Sequence, residues 1–166
     1  MSPLWTYFWP SFTAGLVVAL PAGTIAFRRK AVRTKALAIG AAISIALAAL
    51  WHGPLGAGNR FASRIDRDVR QVLDYYEMTQ VSGHIQHGPL TRQIHLSGPA
   101  DDFQHSELVR LLNQLPGVAG TSWSADRRGI PLIAEAMGVA LLGFLLGLLL
   151  AYLIELHRRY NAQWNW

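Results

Sequence analysis

Residues 137–154 read MGVALLGFLLGLLLAYLI and contain no charged side chain. The apolar stretch around them, residues 130–156, is long enough to cross a hydrocarbon core of about 30 Å as a helix that rises about 1.5 Å per residue. Two further apolar stretches occupy residues 4–27 and 36–54. The sequence therefore predicts an α-helical membrane protein with three transmembrane helices and one small extramembrane domain.

The composition supports a membrane protein and excludes several other classes. Of the 166 residues, 51% are hydrophobic and only 15% are charged, whereas soluble domains carry about 25% charged residues. A disordered chain is never this apolar. The absence of cysteine excludes disulfides, thiolate metal sites and cysteine nucleophiles.

The net charge of +5 does not predict a nucleic-acid partner. Between Arg60 and Arg128, eight arginines are balanced by eight carboxylates, so the excess lies elsewhere. It lies in a tail at 157–166, which contains Arg158 and Arg159, and in a short loop at 28–35. The basic side chains of this loop are Arg28, Arg29, Lys30, Arg33 and Lys35.

The positive-inside rule converts this charge distribution into an orientation. It predicts that the 28–35 loop and the 157–166 tail are cytoplasmic. The N-terminus and the segment between the second and third spans are then periplasmic, in a bacterial inner membrane. Because the basic run follows the first apolar stretch, the stretch is expected to be an uncleaved anchor and not a signal peptide.

The polar segment at 59–126 has the periodicity of a folded α+β domain. The elements that it predicts are a helix at 61–76, strands at 81–86 and 93–97, a helix beginning at Asp101, and a strand at 118–124. The turn sequence His87-Gly88-Pro89 joins the first two strands as a hairpin. Asp101 and Gln104 form a predicted capping box.

This helix, strand, strand, helix, strand order resembles the BON domain of bacterial envelope proteins. The matching residues are Ile94-His95-Leu96-Ser97-Gly98 and Leu115-Pro116-Gly117-Val118. The resemblance covers less than half of the chain. It implies a non-catalytic periplasmic module that binds phospholipid or other envelope components, and it implies no active site.

Candidate chemistry is sparse in the sequence. His84 and His95 are expected to face each other across the hairpin, but too few ligands converge to predict a metal site. No nucleophile, phosphate-loop or dinucleotide motif is present. We therefore predict no enzyme activity and no cofactor. Glu135 lies inside the third apolar stretch, and it is expected to pair at headgroup level with Arg127, Arg128 or another subunit. A role in a proton path is the alternative.

Small residues at helical spacing predict close helix packing, because they let two backbones approach. They are Gly40, Ser44 and Ala48 in the second span, and Gly138, Gly143 and Gly147 in the third. Aromatic residues near the ends of the spans are expected to act as interfacial anchors. They are Trp5, Trp9, Trp51, Tyr160, Trp164 and Trp166.

Two functions remain open from the sequence. The first is a non-catalytic accessory or scaffolding subunit of a larger inner-membrane complex, with other integral membrane subunits as partners. In this hypothesis the small-residue helix faces and the periplasmic domain make the contacts. The second is a free-standing envelope protein that binds phospholipid or cell-wall material through its BON-like domain. A transporter or channel is less well supported, because three helices with one intramembrane carboxylate are too few for a pathway without oligomerisation.

The predicted orientation is tested with alkaline phosphatase, which is active only outside the cytoplasm. We expect activity for a fusion after Gly98 and none for a matched fusion after Lys35, because the two positions lie on opposite sides of the second span. A cytoplasmic signal at Gly98 would contradict both the orientation and the envelope location of the domain.

Overall fold

The computed structural model describes residues 2–124 and 129–162. Contacts divide the chain into two compact units. The polar unit comprises Met1–Tyr7 and Gly56–Glu135, and the helical unit comprises Phe8–Leu55 and Ala136–Trp166. Arg127, Arg128, Trp164 and Trp166, which the sequence analysis singled out, lie outside the described residues.

Three helices in the described part of the chain are long and apolar enough to cross a membrane. Helix α1 is Pro3–Arg28, a 3₁₀ turn follows at Lys30–Val32, α2 is Arg33–His52, and α5 is Leu132–Ala162. The chain is thus mostly helical, as predicted, and the first turns of α1 and α5 belong to the polar unit.

The helices extend into the predicted loop and tail, whereas α2 ends at His52 and α5 begins at Leu132, both within the predicted spans. Arg33 and Lys35 lie in the first turn of α2, so the predicted loop at 28–35 shortens to little more than a 3₁₀ turn. The predicted tail is helical as far as Ala162. Its helix is supported by Glu155, which pairs with Arg158 and Arg159 at the three- and four-residue spacing that stabilises helices. Helix α1 also continues through both of its prolines.

Helices α1 and α5 pack through small residues on both sides. A side chain at Gly143 would collide with the backbone of Phe12, and one at Gly15 would collide with the carbonyl oxygen of Ala140. A Cβ added at Gly147 would lie 2.6 Å from the Cβ of Ala19. The two backbones are therefore close enough that only glycine fits at these positions.

The face of α2 that carries its small residues also packs against other helices of the helical unit. Gly40, Ser44 and Ala48 are the buried residues of α2. A Cβ added at Gly40 would lie 2.8 Å from both the Cβ of Ala22 and the ring of Phe144. Gly138 differs from the other small residues that the sequence singled out, because an added Cβ would meet nothing within 4 Å.

The polar unit contains two helices and one sheet. Helix α3 is Ala57–Tyr75, β1 is Ser82–His87, β2 is Leu90–Ser97, α4 is Asp102–Leu112 and β3 is Gly120–Ser122. The sheet order is β1-β2-β3; β1 pairs antiparallel with β2, and β3 lies parallel to β2. The predicted order of elements is confirmed, and so is the capping box of Asp101 and Gln104 at the start of α4.

The core of the polar unit is built from the amphipathic faces of these elements. Helix α3 has a strongly one-sided apolar pattern and buries Ile65 and Val69. The buried side chains of the strands include Ile85 and Ile94, and α4 contributes Leu112. Alternation along β1 and β2 places these residues on one face of the sheet. Both strands of the hairpin and both helices therefore pack around one core.

The α1–α5 packing predicts opposite effects for two glycines of α5. Gly143→Ala forces the α1 and α5 backbones apart and should lower the free energy of unfolding by about 1–3 kcal/mol. Gly138→Ala meets open space and should leave stability unchanged or raise it by up to about 1 kcal/mol, because alanine favours helix. Thermal unfolding of both variants in mild detergent measures the difference. Equal melting temperatures would contradict the close packing at Gly143.

Candidate interaction surface

A groove of about 480 Å³ lies between α3 and α4 of the polar unit. One side is lined by Asp68, Gln71 and Val72 of α3, with Tyr75 and Tyr76 at the C-terminal end of that helix, and the other by Leu111 of α4 and by Leu115 and Pro116, which follow it. The groove exists because both helices turn their apolar faces toward the sheet, which leaves a seam between them. Its size is within the range of about 300–1,000 Å³ that is usual for ligand sites.

The two tyrosines give the groove its chemical character. Tyr75 is 80% exposed and Tyr76 is 46% exposed, and their rings meet edge to face with centroids 5.1 Å apart. They protrude because α3 ends here: Glu77 adopts a left-handed conformation with φ of 56°, and Met78 N–H donates to the carbonyl of Leu73. Tyrosine is enriched in protein interfaces because it combines apolar area with one hydroxyl.

An ion pair on α4 adds fixed charge close to the groove. Arg110 donates two hydrogen bonds to the carboxylate of Glu107. These hydrogen bonds hold the pKa of the Glu107 carboxyl below its usual range and raise the pKa of Arg110. Both groups therefore stay charged at neutral pH.

The histidines of the sheet occupy the positions that were predicted. His84 and His95 are directly opposite each other on β1 and β2. Nδ1 of His95 lies 2.9 Å from the carbonyl oxygen of Ser124, and Nδ1 of His87 lies 2.8 Å from that of Ile85. Within residues 2–124 and 129–162, no three His, Cys, Asp or Glu side chains gather as metal ligands would.

Glu135 has a partner that the sequence analysis did not find. Its carboxylate lies 2.8 Å from Nε of Arg92 on β2, and both side chains are mostly buried. The predicted partners Arg127 and Arg128 lie outside the described residues. In sequence the two charges are 43 residues apart, and nothing in the local pattern of β2 marks Arg92 as a partner. Nearby in the same unit, the rings of Tyr7 and Phe61 are 5.5 Å apart.

The predicted anchors and basic residues are mostly exposed. Trp5, Trp9 and Tyr160 are more than half exposed, and Trp51 is half-buried. Arg29, Lys30, Arg33 and Lys35 are exposed. Arg28 is also exposed, but its Nε donates to the buried carboxylate of Glu155 at 3.1 Å. Glu155 also contacts Arg158 and Arg159, at the three- and four-residue spacing along α5.

Comparison of the chain with protein-family models, curated proteins and solved structures finds no match. The likeness of the polar unit to a BON domain therefore remains a prediction from its motifs and its order of elements.

The Arg92–Glu135 pair should couple β2 to the first turn of α5. We expect Arg92→Gln and Glu135→Gln each to lower the free energy of unfolding, because each leaves a mostly buried charge without its partner. The double variant should lose less than the sum, with a coupling of about 1 kcal/mol. Thermal or denaturant unfolding of the four proteins in detergent measures this coupling. Additive losses would show that the two side chains act independently.

Proposed function

We propose that the chain is a non-catalytic accessory or scaffolding protein of a bacterial inner membrane. In this proposal α1, α2 and α5 span the bilayer, and the N-terminus and the polar unit face the periplasm. The C-terminus faces the cytoplasm. Other integral membrane proteins are the expected partners.

The length, composition and surface of the long helices support membrane insertion. Each of the three helices contains an apolar window with few charges. Leucines that point away from the other helices remain exposed along α5, as lipid contact requires. They include Leu142, Leu145, Leu149 and Leu153.

The distribution of basic residues supports the proposed orientation. The ion pair between Arg28 and Glu155 joins the last turn of α1 to the C-terminal part of α5. The basic residues that begin α2 and those that end α5 therefore lie at one end of the helical unit. Collection of these cations at one end is what the positive-inside rule expects for a cytoplasmic surface.

The small-residue faces no longer support contact with partner helices. Gly40, Gly143 and Gly147 meet α1 or the ring of Phe144 within the same chain. We therefore assign the main partner contact to the polar unit, in the groove between α3 and α4. The observation on which this assignment depends is the pair of exposed tyrosines, Tyr75 and Tyr76, at the end of an apolar groove.

The groove fits an extended or helical segment of a partner protein. Val72, Leu111 and Leu115 offer aliphatic contacts, and the phenols can close over a bound segment and hydrogen-bond to its backbone. Asp68, which also lines the groove, favours a segment that carries a cation or an amide donor beside its apolar residues. Interfaces of this kind depend on a few central aromatic residues.

Binding of envelope phospholipid by the polar unit is the second candidate. The observation that favours it is the α-β-β-α-β order of elements, which agrees with the order in BON domains. The polar unit is nearly balanced in charge, with eight arginines and nine carboxylates counting Glu135. This balance gives anionic lipid little electrostatic advantage, and it favours the protein partner.

The partner proposal is tested by extracting the native membrane in mild detergent, followed by native gel electrophoresis and mass spectrometry. We expect the chain to co-migrate with a larger membrane complex at fixed stoichiometry. Tyr75→Ala/Tyr76→Ala should release it, with at least about tenfold less co-migrating protein, because central aromatic residues contribute about 2 kcal/mol or more.

The matched control is Phe103→Ala, which removes another exposed aromatic ring of the polar unit outside the groove. This variant should still co-migrate. Migration of the wild-type chain alone, or equal behaviour of the two variants, would overturn the groove as the partner site. Recovery of the wild-type chain in the soluble fraction would overturn membrane insertion itself.

A further inference from the structure

The basic end of the helical unit contains a second groove, of about 460 Å³. It lies between the last turns of α1 and α5 and the 3₁₀ turn that precedes α2. One side is lined by the cations Lys30, Arg33 and Arg159, together with Glu155. The other side is apolar. The groove thus combines positive charge with hydrocarbon surface at the end of three long apolar helices.

The carboxylate that lines the groove, Glu155, already accepts hydrogen bonds from three arginines. Glu155 is 4% exposed and accepts hydrogen bonds from Arg28 at 3.1 Å, from Arg158 at 2.8 Å and from Arg159 at 3.4 Å. Three guanidinium groups thus surround one negative charge. Glu155 fixes the arginines in place, but it leaves this end of the unit strongly cationic.

Lys30 and Arg33 form no ion pair within the part of the chain that the structure describes. Both are exposed, and the ion pairs that the structure describes at this end all involve Glu155. Arg159 also donates through Nη2 to the carbonyl of Phe27 at 3.1 Å, which points its guanidinium toward the end of α1. The groove therefore presents two unneutralised cations and one oriented guanidinium, an arrangement suited to a phosphate group.

The apolar side of the groove follows the helices toward their middle. Phe27 and Tyr152 meet edge to face with centroids 5.6 Å apart. Leu148 and Leu149 lie one turn before Tyr152, and Leu156 lies one turn after it. A ligand whose phosphate meets the cations would therefore have a hydrocarbon-lined path for an acyl chain along α5.

We propose that this groove binds an anionic phospholipid, with its phosphate at Lys30, Arg33 and Arg159 and one acyl chain against Phe27, Leu149 and Tyr152. The inference rests on the proposed membrane insertion with this end at the cytoplasmic leaflet, where anionic lipid is abundant. Charge complementarity selects the occupant. The helical unit carries seven basic side chains and one carboxylate, so an anionic lipid is favoured over a zwitterionic one. Basic pockets between membrane helices are known to bind such headgroups.

The test measures lipid binding to the full chain in detergent by native mass spectrometry. The probes are phosphatidylglycerol, phosphatidylcholine and glycerophosphoglycerol, the last being the anionic headgroup without acyl chains. We expect phosphatidylglycerol to bind at least about tenfold more tightly than either of the others, because only it satisfies both sides of the groove. Equal binding of the chain-free headgroup would overturn a lipid site in favour of a simple anion site.

Two charge-matched double variants separate the groove from general electrostatic attraction. Lys30→Gln/Arg33→Gln removes groove cations, and Arg29→Gln/Lys35→Gln removes two exposed cations that do not line it. The first should weaken phosphatidylglycerol binding at least about tenfold, and the second by less than about threefold. Equal weakening by both would overturn the site.

Membrane fractionation of the wild-type chain distinguishes failure of this inference from failure of the proposed function. If the chain sediments with membranes but shows no preference for phosphatidylglycerol, only the lipid site is wrong. If the chain is not in the membrane fraction, the proposed function fails first, and the lipid site fails with it.

Discussion

The close approach of α1 and α5 is the constraint on which the helical unit depends. Small residues recur every three or four positions on the facing sides of both helices. On α1 they are Ser11, Gly15, Ala19 and Gly23, and on α5 they are Ala140, Gly143, Gly147 and Ala151. Lipid tails are as apolar as leucine, so helices in a bilayer gain little from burying large apolar side chains. In the proposed membrane-inserted state, backbone contact across small residues supplies the attraction instead, and the exposed leucines of α5 face outward.

The ion network at the basic end follows from the same periodicity. Glu155 comes four residues after Ala151, so it lies on the buried face of α5, in line with the small residues. A buried carboxylate is costly unless it is paired and hydrogen-bonded. Arg28, in the last turn of α1, provides one of the partners. The packing of small residues therefore determines where the carboxylate lies, and the carboxylate determines which arginines are held in place and which cations stay free.

Local periodicity was sufficient to predict the elements but not the contacts between them. The three apolar stretches, the hairpin register that pairs His84 with His95, and the capping box of α4 all depend on neighbouring residues, and the structure has each of them. The pairs Arg28–Glu155 and Arg92–Glu135 join residues that are 127 and 43 positions apart. No pattern within one helix or strand specifies such a partner, so these pairs and both grooves were missed.

The small residues of α5 show the same contrast between a local pattern, which the sequence predicts, and the contact that it makes, which the sequence leaves open. Their spacing correctly indicates that a backbone comes close, but it does not indicate which chain that backbone belongs to. The expectation that Gly143 and Gly147 face a partner subunit assumed an external helix, whereas α1 supplies the contact. Helix α1 has a matching series of small residues at four-residue spacing, from Ser11 to Gly23, and this series identifies it as a helix that can pack closely. Helix α1 continues through Pro10 and Pro21, so these prolines leave that face unbroken.

The two grooves differ in chemistry in a way that separates their ligands. The groove of the polar unit combines tyrosines with aliphatic side chains in a unit that is almost neutral, so recognition there depends on shape and hydrogen bonding. The groove of the helical unit combines cations with leucines, so recognition there depends on charge and on a hydrocarbon chain. A ligand whose chemistry matches one groove would make few favourable contacts in the other. Because the excess positive charge is confined to the helical unit, the proposed anionic lipid is expected to bind that unit and not the aromatic groove of the polar unit.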